Sequence, residues 1–431
     1  MYENEADLKA MQEETAGEAD TQYTGTMRIS VVSSVSQSPI AGAAVTISVT
    51  GDPENPLYTL TTDSSGETEV VTLPAPPLSY SLNPESLIQP YAEYNILVTA
   101  EGYEPVYVSG SELFADELTL QPIRMNPVEL QEGEEERLVV IPVHTLFGDY
   151  PPKIPEDEIK PMAETGEIVL SRVVIPEYVI VHDGVPSDPT APNYWVRYKD
   201  YIKNVASSEI YSTWPEATLY ANILVIQSFT LNRVYTEWYR NQGYDFTITS
   251  STAYDQKWVY GRNVYENISY LVDNIFTNYL SRPGVRQPIF TSYCDGQRVT
   301  CSGLSQWGSK YLGDQGYSAI EIIRYFYGND MYINSADVIS GVPSSWPGYN
   351  LTIGSSGDKV LQMQNQLNRI ARNYPAIPTI TADGIYGPAT ADAVRTFQGI
   401  FNLPQTGVVD YPTWYEISEI YVGVSRIAEP Q

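Results

Sequence analysis

Histidine is nearly absent. The 431 residues contain only His144 and His182, and cysteine is equally scarce, with Cys294 and Cys301. A zinc hydrolase built on several histidine ligands is all but excluded by that count, so no metal and no cofactor are expected. Any Ser-His or Cys-His nucleophile would have to use one of these two histidines. Both stand in proline-rich, extended-looking text, which argues against that use. Basic residues are few: 24 Lys and Arg face 53 Asp and Glu, a formal charge of −29. Phosphate binding needs the opposite sign, so no nucleic acid partner is expected. No apolar run approaches the length of a membrane span, and no membrane partner is expected either. The start, MYENEADLKAMQEE, lacks the basic-then-apolar layout of a signal peptide. That leaves a cytosolic chain, one exported by another route, or a trimmed one.

What the chain does have is 42% hydrophobic content, enough for real cores, and room for two to four domains. Residues 1–22 carry many acids and no apolar period, which predicts a loose acidic leader. From Gly25 the text alternates. Met27-Arg-Ile-Ser-Val-Val and Pro39-Ile-Ala-Gly-Ala-Ala-Val precede a turn at Asp63-Ser-Ser-Gly66, with strands at Tyr94–Val98 and Pro105–Val108. Short strands between turns predict an antiparallel β-sandwich over 23–127. Residues 128–166 hold a charge run and Pro142, Pro151, Pro152, Pro155 and Pro161, the composition of an extended, protease-accessible linker. An α+β unit is expected over 167–342 and a helical one over 343–425. In the latter, Ser356 or Asp358 starts a helix that carries Val360, Leu361, Gln364 and Leu367 on one face. A helix over Ala389–Phe401 and another around Thr413-Trp-Tyr follow. The fold class is therefore multidomain: sandwich, central α+β unit, C-terminal three-helix unit.

The stretch that organises the chain is Tyr198 to Tyr235. Tyr198, Ile202, Val205, Ala206 and Glu209 fall at helical spacing on one face. That puts a carboxylate on the side that should be buried, whereas glutamate ordinarily sits opposite the apolar stripe. Trp214-Pro215-Glu216 opens a second helix, with proline in its first turn and an acid at its positive end. It runs on through Leu219, Ala221, Ile223, Leu224, Val225 and Ile226, apolar nearly all round as a core helix is. Glu209 is then one of two things: a structural acid paired with arginine or capping a helix end, or a carboxylate tuned for proton transfer at the rim of a core.

Two later runs bear on that choice: Thr252-Ala-Tyr-Asp-Gln-Lys-Trp-Val-Tyr-Gly261 and Gly303-Leu-Ser-Gln-Trp-Gly308. With the Glu209 helix pair they resemble, over about Ile175 to Ile333, the catalytic domain of the stage II sporulation protein D family, lytic transglycosylases of peptidoglycan. The layout of the chain is similar to that of the spore cortex-lytic enzymes within it. The N-terminal strands resemble a carboxypeptidase-regulatory-type sandwich. The turns Asp383-Gly-Ile-Tyr-Gly-Pro-Ala-Thr and Gly407-Val-Val-Asp resemble those of the type 1 peptidoglycan-binding module.

The resemblance implies cleavage between N-acetylmuramic acid and N-acetylglucosamine, with Glu209 as acid and then base, flanked by Tyr198 and Trp214. It implies substrate contacts by Gln256 and Tyr260, and by Ser305, Gln306 and Trp307, whose other reading is a buried turn. In the C-terminal module Asp383, Tyr386 and Gln398 would line a groove for glycan or stem peptide. The partners implied are peptidoglycan, cortex glycan above all, and a protease that activates a latent proform. The location implied is the spore cortex, coat region or cell wall, where deposition by the mother cell needs no signal peptide. Two departures limit the carry-over: Thr300-Cys301-Ser302 replaces a His-Gly found in many relatives, and Gln227 replaces an arginine. Cys294 and Cys301 are expected close together, either as a disulfide or as two packed thiols. The rival reading is a non-catalytic wall-binding or amidase-enhancer protein.

Overall fold

The computed structural model describes residues 23–128, 137–160, 172–336, 338–340 and 347–425. The expected leader lies outside the described residues, as do parts of the expected linker, 129–136 and 161–166.

The N-terminal region builds two sheets around one apolar core. Strands β1 (Thr24–Ser33), β2 (Ala44–Val49), β3 (Pro56–Thr61), β4 (Val71–Pro74), β5 (Ala92–Thr99), β6 (Val106–Leu113), β7 (Leu118–Met125) and β8 (Arg137–Val140) contribute. β1 alternates buried and half-buried residues along its length, so Met27, Ile29 and Val31 enter the core while Arg28 and Ser30 point away. That period of two is what a sheet covered on one face requires. The sheets run β3-β2-β5-β6-β8 and, with one strand from further along the chain, β13-β7-β1-β4; β1–β7 and β6–β8 pair in parallel, so the sheets are mixed and not antiparallel throughout as expected. Here β9 is Val174–Ile175, β10 Tyr178–His182, β11 Asn193–Arg197, β12 Ile248–Thr249 and β13 Val264–Tyr265.

β13 belongs to the central unit, so the two regions share a sheet, with Val264 opposite Leu120 and Tyr265 opposite Thr119. Glu112 anchors the junction. It is buried, bonded to the Arg262 guanidinium and, at 3.1 Å, to the Tyr265 hydroxyl, while Asn263 bonds both main-chain groups of the same residue. Gly261 sits here at φ +70°, and a β-carbon on it would come within 2.6 Å of Val139, so the close approach of β8 requires glycine.

After α1 (Ser79–Leu82), helices α2 (Tyr198–Glu209) and α3 (Glu216–Tyr235) form the centre of the molecule. Sixteen of the twenty α3 residues are buried, as its all-round apolar sequence requires. Around the pair pack α4 (Glu266–Ile275), α5 (Gln306–Asp314) and α6 (Ala319–Tyr327). Ser305 caps α5 by accepting from Gly308 N, and Ser318 with Glu321 forms a capping box on α6.

The last region holds α7 (Asp358–Ala371), α8 (Pro388–Ile400) and α9 (Tyr411–Ser425). It is an internal repeat. Gln364 Oε1 accepts from Gly384 N while its amide reaches Ile385 O and Thr390; Gln398 Oε1 accepts from Gly407 N while its amide reaches Val408 O and Thr413. The region docks on the central helices, with Lys199 held by Glu416 and by Glu419 at 3.0 Å, and Arg197 paired with Glu419 at 3.2 Å.

The expected free linker differs most. Its described part, 137–160, contributes a strand to the sandwich and then lies along the central unit. His144, Tyr150 and Lys160 are buried, and Ile154 N, Lys160 N and Glu158 O bond to Ala253, Gln287 and Phe290. Its prolines disfavour helix, and several of its charged and aromatic side chains have partners on the neighbouring surface.

Candidate active site

Glu209 is the last residue of α2, which ends there because Ile210 turns extended. Its carboxylate has no solvent exposure. Oε2 accepts from the Tyr293 hydroxyl at 2.5 Å and Oε1 from the Lys257 main-chain N–H at 2.8 Å. Tyr293 stands on a two-residue strand, Tyr293–Cys294, paired in parallel with Leu304–Ser305. Lys257 follows Asp255-Gln256. The end of α2, the 252–261 run and the 303–308 run therefore meet around one carboxylate. Burial pushes the Glu209 pKa above the ordinary glutamate range; the Lys153 ammonium and the Tyr293 and Lys257 donors pull it back without cancelling the rise.

Lys153 comes from the 137–160 segment. Its ammonium lies 4.4 Å from the Tyr293 ring centre and donates to Asp255 O. Burial lowers its pKa against the opposing pull of Glu209 and Asp255. Tyr150, from the same segment, is buried and close enough to feel the charges of Glu209, Asp295 and Arg298. Arg298 in turn clamps the segment, donating to Thr145 O at 3.0 Å and to Gly148 O. Arg298 lies in the loop closed by a disulfide between Cys294 and Cys301. Gly303 sits under that loop, where a β-carbon would collide with Ser292 O at 1.6 Å.

Two other carboxylates of this region, Asp255 and Asp295, are already saturated. Asp255 accepts from Arg233 Nε at 2.7 Å, Tyr239 OH at 2.6 Å, and Thr249 N and Oγ1 at 2.9 and 2.7 Å. Asp295 accepts from the main-chain N–H groups of Gln297, Arg298 and Val299 and from Arg298 Nε. Neither is free to act as a second base or nucleophile. Among the described residues no group of three or more His, Cys, Asp or Glu side chains is placed to hold a metal ion.

The residues singled out from sequence divide. Trp214 and Trp307 meet, ring centres 4.9 Å apart, with Tyr211 5.8 and 6.0 Å away. α1 roofs this cluster, with Ser81 O accepting from the Trp214 indole and Leu82 O from Lys310. Ser305 serves as a helix cap, and the Gln306 amide is buried with no hydrogen-bond partner among the described residues. Tyr260 lies under the Arg137 guanidinium, 4.7 Å from its ring centre.

Five further expected contacts are placed as follows. Tyr198 is eleven residues upstream of Glu209 on one helix, roughly 16 Å away along its axis, so it does not flank the carboxylate. Gln256 is buried and braces α2 to α3 through Tyr201 OH, Thr230 Oγ1 and Ile226 O. Tyr386 is buried with its hydroxyl on Gly407 O, and Gln398 is the turn-bracing amide described above. Asp383 is exposed and caps its own turn at Ile385 N. Gln227 binds the carbonyls of Ile275 and Asn278, a structural use that arginine would not fit unchanged. Sequence reading missed Lys153, Tyr150 and the hydroxyl of Tyr293.

Residues 356–417 match the family model described as "Putative peptidoglycan binding domain". The chain thus carries a peptidoglycan-binding domain at its C-terminus, which associates it with cell wall or cortex. No curated protein matches the chain. Among solved structures it is similar to a SleB N-terminal domain (29% identity, 17% of this chain and 93% of that one, TM-score 0.15). It is also similar to the Bacillus anthracis TIE protein (14%, 25% and 17%, TM-score 0.17). A third likeness is to catechol 1,2-dioxygenase from Acinetobacter sp. ADP1 (13%, 28% and 58%, TM-score 0.18). Likenesses at these TM-scores say nothing of activity here. Among the described residues no helix is long and apolar enough to cross a membrane.

Proposed function

We propose that the protein is a peptidoglycan lytic transglycosylase, acting on cortex-type glycan and latent until the chain is cut between the sandwich and the central unit. The observation that carries this reading is a buried carboxylate with a raised pKa, Glu209, beside which Asp255 and Asp295 are committed to other partners. A glycoside hydrolase ordinarily needs two working carboxylates. A lytic transglycosylase needs one. Protonated Glu209 delivers its proton to the glycosidic oxygen as the bond breaks. The resulting carboxylate then takes the proton of the muramic 6-hydroxyl, whose oxygen closes onto the anomeric carbon as a 1,6-anhydro ring. No water is added. Tyr293 and the Lys257 N–H steady the carboxylate in its charged phase.

Latency is supported by the covering of Glu209. A glycan cannot reach a carboxylate with no exposure, and Lys153 of the 137–160 segment stands over the Tyr293 ring whose hydroxyl binds that carboxylate. Residues 1 to about 165, which include the 137–160 segment, then act as restraint, 167–342 as catalytic unit and 343–425 as wall anchor. The test is digestion of peptidoglycan in heavy-oxygen water, before and after limited proteolysis, with mass analysis of the fragments. The expected products end in 1,6-anhydromuramic residues without label. Label at new reducing ends means a hydrolase. No cleavage by either form leaves wall binding as the function.

A further inference from the structure

The same segment that covers Glu209 places a second side chain in the central unit. Arg233 on α3 is fully buried, its Nε committed to Asp255. Its Nη1 and Nη2 form a two-pronged contact with the Glu156 carboxylate at 2.8 and 2.7 Å, and Nη2 also reaches Tyr254 O at 3.1 Å. Aromatic rings surround the guanidinium, with the centres of Phe290, Trp238 and Phe229 at 4.8, 5.1 and 5.2 Å. Burial opposes charge on Glu156, and the hydrogen bonds and charges of Arg233 and then Lys160 outweigh it, holding the carboxyl below its usual range. A cavity of about 110 Å³ adjoins Arg233, lined also by Tyr178, Glu237 and Phe246.

Asp255 already balances the charge of Arg233 within the central unit. Glu156 is a visitor, brought by a segment that has to leave before Glu209 meets a glycan. When it leaves, the outer fork of a buried guanidinium loses both carboxylate acceptors, a costly state that a planar two-oxygen group relieves. Glu156 follows Lys153 by three residues, a chain span of at most roughly 10 Å, which is on the scale of a disaccharide repeat. Muramic acid carries a lactyl carboxylate; N-acetylglucosamine does not.

We propose that Arg233 forms a carboxylate-binding subsite of the glycan cleft, taking the lactyl carboxylate of a muramic acid residue, and that Glu156 is the stand-in for that group in the covered chain. This rests on the reading of Glu209 as a glycan-cleaving acid. It makes the enzyme selective for strands whose muramic acid is free of peptide near the cut.

The test uses the proteolytically cut chain carrying Glu156→Ala, in which the covering segment no longer closes the site, the fork is vacant and Asp255 stays in place. Binding of N-acetylmuramic acid, its methyl ester, N-acetylmuramoyl-L-alanine and N-acetylglucosamine is measured by titration calorimetry. The acid is expected to bind at least about tenfold more tightly than the ester and than N-acetylglucosamine, the loss of one charge-assisted pair. The uncut wild-type chain, with Glu156 in the fork, is expected to show no such preference. Arg233→Lys in the same background should erase it, with a melting curve to check the fold. Equal binding of acid and ester by Glu156→Ala, or no binding of any saccharide, overturns the subsite whatever the arginine variant does. Tighter binding of N-acetylmuramoyl-L-alanine than of the acid moves the ligand to the peptide stem and overturns the lactyl assignment. Binding requires no bond cleavage, so a chain that fails the digestion test yet keeps the acid preference separates the two readings.

Discussion

Replacing Glu209 by glutamine tests the chemistry with little disturbance of the packing. Glutamine matches the volume of the carboxyl, which matters at a site with no exposure. Its carbonyl oxygen can still accept from Lys257 N, and its NH₂ can donate to the Tyr293 oxygen, which turns from donor to acceptor. Lys153 keeps the Asp255 carbonyl. The fold should therefore survive, and the sign of the stability change follows from linkage. Because the folded pKa of Glu209 is raised, its contribution is most favourable below the unfolded glutamate pKa and is lost as pH rises through the folded value. The neutral amide escapes that loss. Glu209→Gln should gain melting temperature relative to wild type as pH goes from about 4, near the unfolded glutamate pKa, to 8. Activity should move the other way. General acid–base groups contribute roughly 10²–10⁴-fold, and one residue here performs both transfers, so a loss of about 10⁴-fold or more is expected, some 5 kcal/mol of barrier. The assay is release of muropeptides from peptidoglycan by the proteolytically activated protein, alongside melting curves at several pH values. Full activity in the glutamine variant refutes the assignment, and a stability gain that shrinks with rising pH refutes the account of burial.

In the uncut chain, Lys153→Ala should raise basal cleavage measurably, since it removes the cation held against Glu209; an uncut chain that stays silent while the cut form is active argues that Lys153 does not help to close the site. Opening the Cys294–Cys301 bridge, seven residues apart, should cost about 2.5 kcal/mol on loop-closure grounds, read as a lower denaturation midpoint in reductant or in the double serine variant. Arg262→Ala leaves Glu112 buried without its cation and should cost about 3–5 kcal/mol, with faster proteolytic release of the sandwich from the central unit. Chelators should leave activity unchanged; loss with recovery on adding zinc would contradict the one-carboxylate reading.

Some of this was legible in the sequence because it is written in local periodicity. The apolar spacing from Tyr198 to Ile226 set two packed helices and put Glu209 on the inward face, and α2 and α3 run over Tyr198–Glu209 and Glu216–Tyr235. Alternation set the strands around Met27 and Val45, and the Gly-rich turns with their following helices marked the C-terminal unit that matches a peptidoglycan-binding domain. What the sequence did not carry is which long-range partners polar side chains choose. Nothing local in Gln256, Gln364 or Gln398 says that each spends its amide on main-chain and hydroxyl groups inside the molecule, yet buried amides have to be satisfied and the fold supplies those partners. Proline and acidic residues made 137–160 look free, because composition reports only what a segment cannot do by itself. Lys153, Glu156 and Lys160 become ordered because the central unit offers Glu209, Arg233 and an aromatic wall, charges and rings that only tertiary packing brings to one place.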